Sequence, residues 1–141
     1  MRSNTATAGT SAERRTAWAR LVGAALWTLQ ILLALQFVYV GFLKLSGSPA
    51  MVTLFATIGA GQWFRYLVGA LEIAGAIGLL IPRLSGLAAL CLVGLMVGAT
   101  ATQVFIIGQG QWVPIAVLLV STLVAWGRWP QIQEFASKLT R

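Results

Sequence analysis

Apolar residues in this chain come in membrane-length runs, not in the narrow stripes of a water-soluble helix. The first run extends from about Leu21 to Leu43, ~34 Å as a helix and enough to cross a bilayer with some tilt. It carries Gln30, Gln36 and Tyr39 and ends at Lys44. A second run, about 64–82, stops at Pro82, and a tight Pro82–Gly86 link leads into a third, about 84–107. The uncharged turn GQGQW connects to a fourth, about 113–129, with Pro114 in its first turn and Pro130 expected to stop it. Between the first and second runs lies a shorter apolar piece, about 49–58. Pro49 suits its first turn and Gly59-Ala60-Gly61 its end, so it is expected as an interfacial or re-entrant helix too short to span. The pattern predicts an all-α membrane protein: a four-transmembrane-helix bundle with one short extra helix between helices 1 and 2.

The ends differ in character. Residues 1–16 are small, polar and basic, with no apolar periodicity, and read as a flexible cytoplasmic tail preceding a transmembrane domain at 17–130. They are not expected to be a cleavable signal, because the polar lead is long and no convincing small-x-small site follows the apolar run. Residues 131–141 form a short amphipathic cytoplasmic tail.

Composition agrees with the pattern: 58% of residues are hydrophobic and 9% charged. A water-soluble globule of that make-up would lack polar surface. The net charge of +7 does not point to nucleic acid, because the basic residues flank apolar runs. Arg2, Arg14, Arg15, Arg20, Arg83, Arg128, Lys138 and Arg141 fall on one side of the bilayer and only Lys44 and Arg65 on the other. That asymmetry predicts cytoplasmic termini in a bacterial-type inner membrane. Trp18, Trp126 and Trp129 at one interface, with Trp63 and Trp112 at the other, fit the same arrangement.

Absences narrow the chemistry. With no histidine and one cysteine, Cys91, the chain by itself builds neither an intramolecular disulfide nor a CxxC redox pair, a His-ligated haem or a His-containing metal site. Ser121 and Thr122 have no histidine to activate them. Cys91 is expected as a small core residue, Lys44 and Arg65 as snorkelling anchors. Ala70, Ala74 and Gly78 on the second span, and Gly94 and Gly98 on the third, are expected at helix contacts.

Glu72 stands out, the one carboxylate between Glu13 and Glu134 and centred in the second run. A charge there costs roughly 2.5–3.5 kcal/mol or more unless it faces protein or water, so it is expected to point inward. Helix depths bring Gln36 and Thr100 near it, place Gln103 higher, and require Lys44 to reach down for an ion pair. Two uses stay open: a packing lock, or a ligand or proton role.

These residues carry a resemblance. GFLKLSG at 41–47, GQWFRYLVGALEIAGAIGLLIPRLSGLAAL at 61–90 and GLMVGATATQ at 94–103 resemble, in order and spacing, the DoxX-like family of small four-helix membrane proteins. The resemblance covers about Gln36 to Val104. Some relatives are subunits of quinone-linked oxidoreductase complexes, which implies an accessory subunit with a quinone or lipid as ligand, and other membrane subunits or further copies of itself as partners. The family's lysine and glutamate fall on Lys44 and Glu72. Many members place a histidine where this chain has Gln103, which hydrogen-bonds but takes no proton at neutral pH. The departure weakens proton-coupled chemistry relative to binding or scaffolding. The expected polar cluster is Glu72, Gln36, Tyr39, Lys44, Thr100 and Gln103, with no catalytic residue and no covalent cofactor. A stand-alone membrane enzyme or binding protein for a lipophilic substrate is the alternative.

Overall fold

The computed structural model describes the backbone of residues 5–139 and the side chains of residues 12–138. Arg2 and Arg141, counted above for orientation, lie outside the described residues. The described chain is helical throughout: α1 (Thr5–Leu45), α2 (Pro49–Ile58), α3 (Gln62–Leu80), α4 (Ser85–Thr102) continued by a π-helical turn (Gln103–Ile107), α5 (Trp112–Gly127) and α6 (Trp129–Leu139). Three stretches are long and apolar enough to cross a membrane: Ala12–Leu45, Gln62–Leu80 and Ser85–Ile107. A fourth is reached if α5 and α6, bent by 65° at their junction, count as one broken span. The protein is an integral membrane protein by this architecture.

Two boundaries differ from the sequence expectation. Residues 5–16, expected as a flexible tail, belong to α1, which is 41 residues and about 62 Å long. The segment holds three alanines and two arginines among four threonines, a serine and a glycine, so propensity alone does not favour it; it extends an existing helix, and no new nucleus is needed. At the other end, the chain breaks at Gly127–Arg128 rather than at Pro130, which sits in the first turn of α6. Proline lacks only an N–H that the first turn leaves unbonded anyway.

The short helix α2 forms where its punctuation placed it. Pro49 opens its first turn, and Gly59 closes it at φ 77°, a left-handed conformation that glycine adopts without cost. At 10 residues it is ~15 Å long and cannot span.

α1 and α3 pack antiparallel, with Gln30 beside Leu79 at one end and Gly41 beside Gly69 towards the other. A Cβ on Gly41 would lie 2.9 Å from the Gly69 carbonyl, and one on Gly69 would lie 3.1 Å from the Gly41 carbonyl. Only the two hydrogens let the backbones meet. α3 and α4 are tight near their shared link, where a Cβ on Gly78 would meet Ala88 at 2.8 Å and one on Gly75 would meet Leu92 at 2.6 Å. Leu33, Phe37, Leu79, Leu92, Met96 and Val124 fill the core between α1, α3, α4 and α5. Most other large apolar side chains are exposed, as lipid-facing residues must be.

The small-residue expectation holds at Gly78 and is corrected at the other positions. Ala70 and Ala74 are exposed, and a Cβ on Gly94 or Gly98 would meet nothing within 4 Å. The remaining close contacts use Gly41, Gly69 and Gly75. Four-residue spacing identifies a face of a helix but not what that face meets.

Candidate functional site

Beyond Leu92 the helices α3 and α4 stand apart and leave a groove of about 1020 Å³. Val68, Leu71 and Gly75 line it from α3; Cys91, Gly94, Gly98 and Thr102 line it from α4. Met51, Leu54, Phe55 and Ile58 of α2, one helical face by their spacing, line it as well. Gln103 and Ile107 of the π-helical turn, with Val113 and Pro114 of α5, contribute from the other side.

Lys44 and Glu72 lie in the groove wall, where the lysine Nζ donates to both carboxylate oxygens at 2.6 and 2.7 Å. The residues are 7% and 2% exposed, so the pair is nearly sealed from solvent. Its geometry follows from helix direction. A Cβ tilts towards its own helix N-terminus, so on antiparallel helices Lys44 leans into the protein and Glu72 leans up to meet it. Gly41 and Gly69, each three residues earlier on its helix, bring the backbones close enough for contact. In a low-dielectric interior each charge is tolerable because the other is there.

Of the other expected site residues, Gln36 lines the groove beside this pair, while Gln103 lines it with its Oε1 buried and unbonded. The Gln103 carbonyl accepts from the Gly108 amide at 2.7 Å, five residues on, which makes the turn π-helical. Thr100 does not join the cluster: its buried Oγ1 has no partner and its residue is no part of the groove wall. Tyr39 is 62% exposed and lies outside the groove. Thr102 donates to its own helix, to the Gly98 carbonyl at 2.9 Å.

Two readings are overturned and one is decided. Cys91 is exposed on the groove wall rather than packed in the core, because α4 leans away from α3 above it. Of the two readings of Lys44, anchor or partner of Glu72, the ion pair is the one the structure forms. Arg65 is buried rather than snorkelling, covered where α1 ends. Arg65 donates from Nε to Gln62 at 2.8 Å and stacks over Tyr66 at 4.2 Å.

A second polar knot escaped the sequence reading. Gln30, fully buried, donates to the Leu79 carbonyl at 2.8 Å and accepts from Arg128 Nη2 at 2.6 Å and Nε at 3.2 Å. Arg128 also lies 5.6 Å from the Trp27 ring centroid. The knot ties α1, α3 and the α5–α6 break together. Its signal in the sequence was a glutamine deep in a span with an arginine at the far end of another. Nearby, the Ser85 hydroxyl donates to Gln131 at 2.9 Å, joining α4 to α6.

No group of three or more metal-ligating side chains occurs among the described residues. Fold and site define a small helical membrane protein with an apolar groove beside a buried ion pair. The sequence matches the DoxX-like family over residues 28–127, and the chain belongs to that family. No curated protein and no solved structure matches it.

Proposed function

We propose that this protein is an accessory subunit of a membrane complex and holds one lipophilic molecule, a quinone or a lipid, in the groove between α3 and α4. The observation that carries this reading is the open, glycine-lined face of α4, where Gly94 and Gly98 meet no packing partner, beside the Lys44–Glu72 pair. Small-molecule sites are mostly apolar, with a few fixed polar groups that orient the ligand, and range over roughly 300–1,000 Å³. Lys44 would donate to a carbonyl or ether oxygen at the ligand head, and Glu72 or Gln103 would accept from a hydroxyl. The apolar walls would hold the chain. A bound quinone would supply redox chemistry to a partner subunit; this chain's own residues bind and orient it.

In this reading the chain crosses the inner membrane four times, α5 making the last passage and α6 lying at the cytoplasmic face beside Ser85, and both termini are cytoplasmic. Cysteines substituted at positions 2 and 110 of a Cys91→Ala protein test the orientation. Labelling of position 2 from outside intact cells overturns it.

Groove filling tests the ligand. Gly94→Leu/Gly98→Leu places side chains in open space and leaves the ion pair alone. Native mass spectrometry of protein purified in mild detergent should show a lipophile retained by the wild type and absent from the filled variant. Equal retention by both defeats the groove as the site. Co-purification of further membrane subunits with both forms is expected, since filling the groove leaves the outer faces intact.

A further inference from the structure

The buried charges at the end of α1 do not balance. Lys44 and Arg65 are 7% and 3% exposed, and Glu72 is the one buried carboxylate among the described residues, already engaged at both oxygens by Lys44. Arg65 has no carboxylate partner among the described residues, and its Nη1 is buried without a hydrogen-bond partner. A desolvated guanidinium is costly unless its fork is occupied.

The surroundings of that fork are built for a negative group. Nη1 and Nη2 both face Gly47, each 3.9 Å from where a Cβ on that glycine would sit. Gly47 has φ 74° and leaves a notch above the guanidinium. Two residues further on α2 begins; Pro49 at its first position has no N–H, so the Ala50 and Met51 amides are the ones left there without an intrahelical acceptor. Ser48 at the cap position makes no side-chain capping bond, and the first turn contains no acidic residue. The unbonded amides of a helix start carry partial positive charge and bind oxyanions. Nε is tied to Gln62 and the plane stacks on Tyr66, so the fork is held in one orientation.

We infer that Arg65, the Gly47 notch and the N-terminus of α2 together form an oxyanion site at the membrane surface, separate from the groove, which takes a phosphate-type group from a lipid headgroup or from solution. Access is through the Ser46–Gly47–Ser48 turn, whose Ser46 is exposed. An arginine fork and a phosphate match in planar, bidentate geometry, and the anion supplies the charge that the buried cluster lacks.

The test uses the full-length protein, delipidated in mild detergent, with native mass spectrometry as readout. Dioleoyl phosphatidic acid and dioleoylglycerol share acyl chains and differ in the phosphate. The wild type is expected to favour the phosphatidic acid by about tenfold, the usual scale for a charge-assisted hydrogen bond. Arg65→Gln should remove the preference. A second variant, Gly47→Asp, keeps the arginine in case the first does not fold. Aspartate tolerates positive φ, and its carboxylate would reach the fork from the notch and replace the external anion. That variant should lose the phosphatidic acid preference and melt at a higher temperature than the wild type. Competition by millimolar inorganic phosphate supports the site and assigns its source to free oxyanion; failure to compete, with the preference intact, assigns it to the lipid. Equal binding of both lipids by the wild type, or an unchanged preference in Gly47→Asp, overturns the inference.

Discussion

Gly41 and Gly69 meet backbone to backbone, and three residues further along each helix Lys44 and Glu72 close an ion pair. The two relationships are one device. Close approach of α1 and α3 places a lysine from one helix end within reach of a carboxylate in the middle of the other. The same approach removes the lipid that would otherwise touch the charges.

Glycine replacement should therefore divide by location. Gly69→Ala would push a methyl to 3.0 Å from Lys44 Cβ and 3.1 Å from the Gly41 carbonyl, tighter than carbon contacts allow without movement. Overpacking of this kind costs about 1–3 kcal/mol. Gly94→Ala and Gly98→Ala meet open space and should be neutral, or gain up to ~1 kcal/mol from helix propensity. Melting temperatures in detergent read the contrast. Equal destabilisation at all three positions would show that α4 packs as tightly as α3.

Breaking the ion pair singly should cost more than removing it whole. Lys44→Met or Glu72→Met leaves a buried charge alone, a loss of about 3–5 kcal/mol, whereas the double replacement approaches the wild type. A double-mutant cycle in denaturant measures the coupling. Additive losses would mean that water already screens the pair, contrary to its burial.

Much of this was legible in the residues, and the limits are physical. Apolar run length and Pro49/Gly59 punctuation located the helices, because the bilayer fixes span length and proline and glycine mark helix ends. The cost of a charge in lipid turned Glu72 inward before any partner was known. Depth along straight helices left Lys44 undecided, because rise per residue omits the direction in which side chains lean. It misplaced Thr100 because height says nothing of rotation about the axis, and Tyr39, grouped with the cluster without a depth of its own, faces outward. The π-helical turn at Gln103 has no residue signature, and neither does the divergence of α4 that exposes Cys91. Gln30 and Arg128 are 98 positions apart, joined only by the tertiary fold.

That long-range knot is itself testable. Arg128→Lys keeps the charge but cannot reproduce the two donations from Nε and Nη2 to Gln30. It should destabilise nearly as much as Arg128→Ala, by about 1.5–3 kcal/mol for hydrogen bonds to a charged group. Gln30→Leu should be damaging as well, since it strands the Leu79 carbonyl that accepts from Gln30 Nε2. Thermal unfolding of the three variants decides the matter: full retention of stability by Arg128→Lys would mean that charge alone, and not the fork, holds the α5–α6 break.

Cys91 offers a direct view of the groove. It is the sole thiol of the chain, exposed, and part of the groove wall between α3 and α4. A core cysteine would resist labelling until the protein unfolds. This one should react in the folded state, and faster with a small membrane-permeant maleimide than with a charged, impermeant one, because the groove walls are apolar. Its rate should also report occupancy. With protein in mild detergent, adding a long-chain quinone should slow labelling of the wild type several-fold if the groove takes it, by about the ratio of ligand concentration to Kd once that ratio is large. The Gly94→Leu/Gly98→Leu variant supplies the control, since its thiol should be shielded with or without quinone. Quinone-independent labelling of the wild type would remove the quinone from the proposal while leaving a lipid in its place, and slowing by phospholipid alone would identify that occupant. A thiol that reacts only after denaturation would instead contradict the outward lean of α4, and with it the groove.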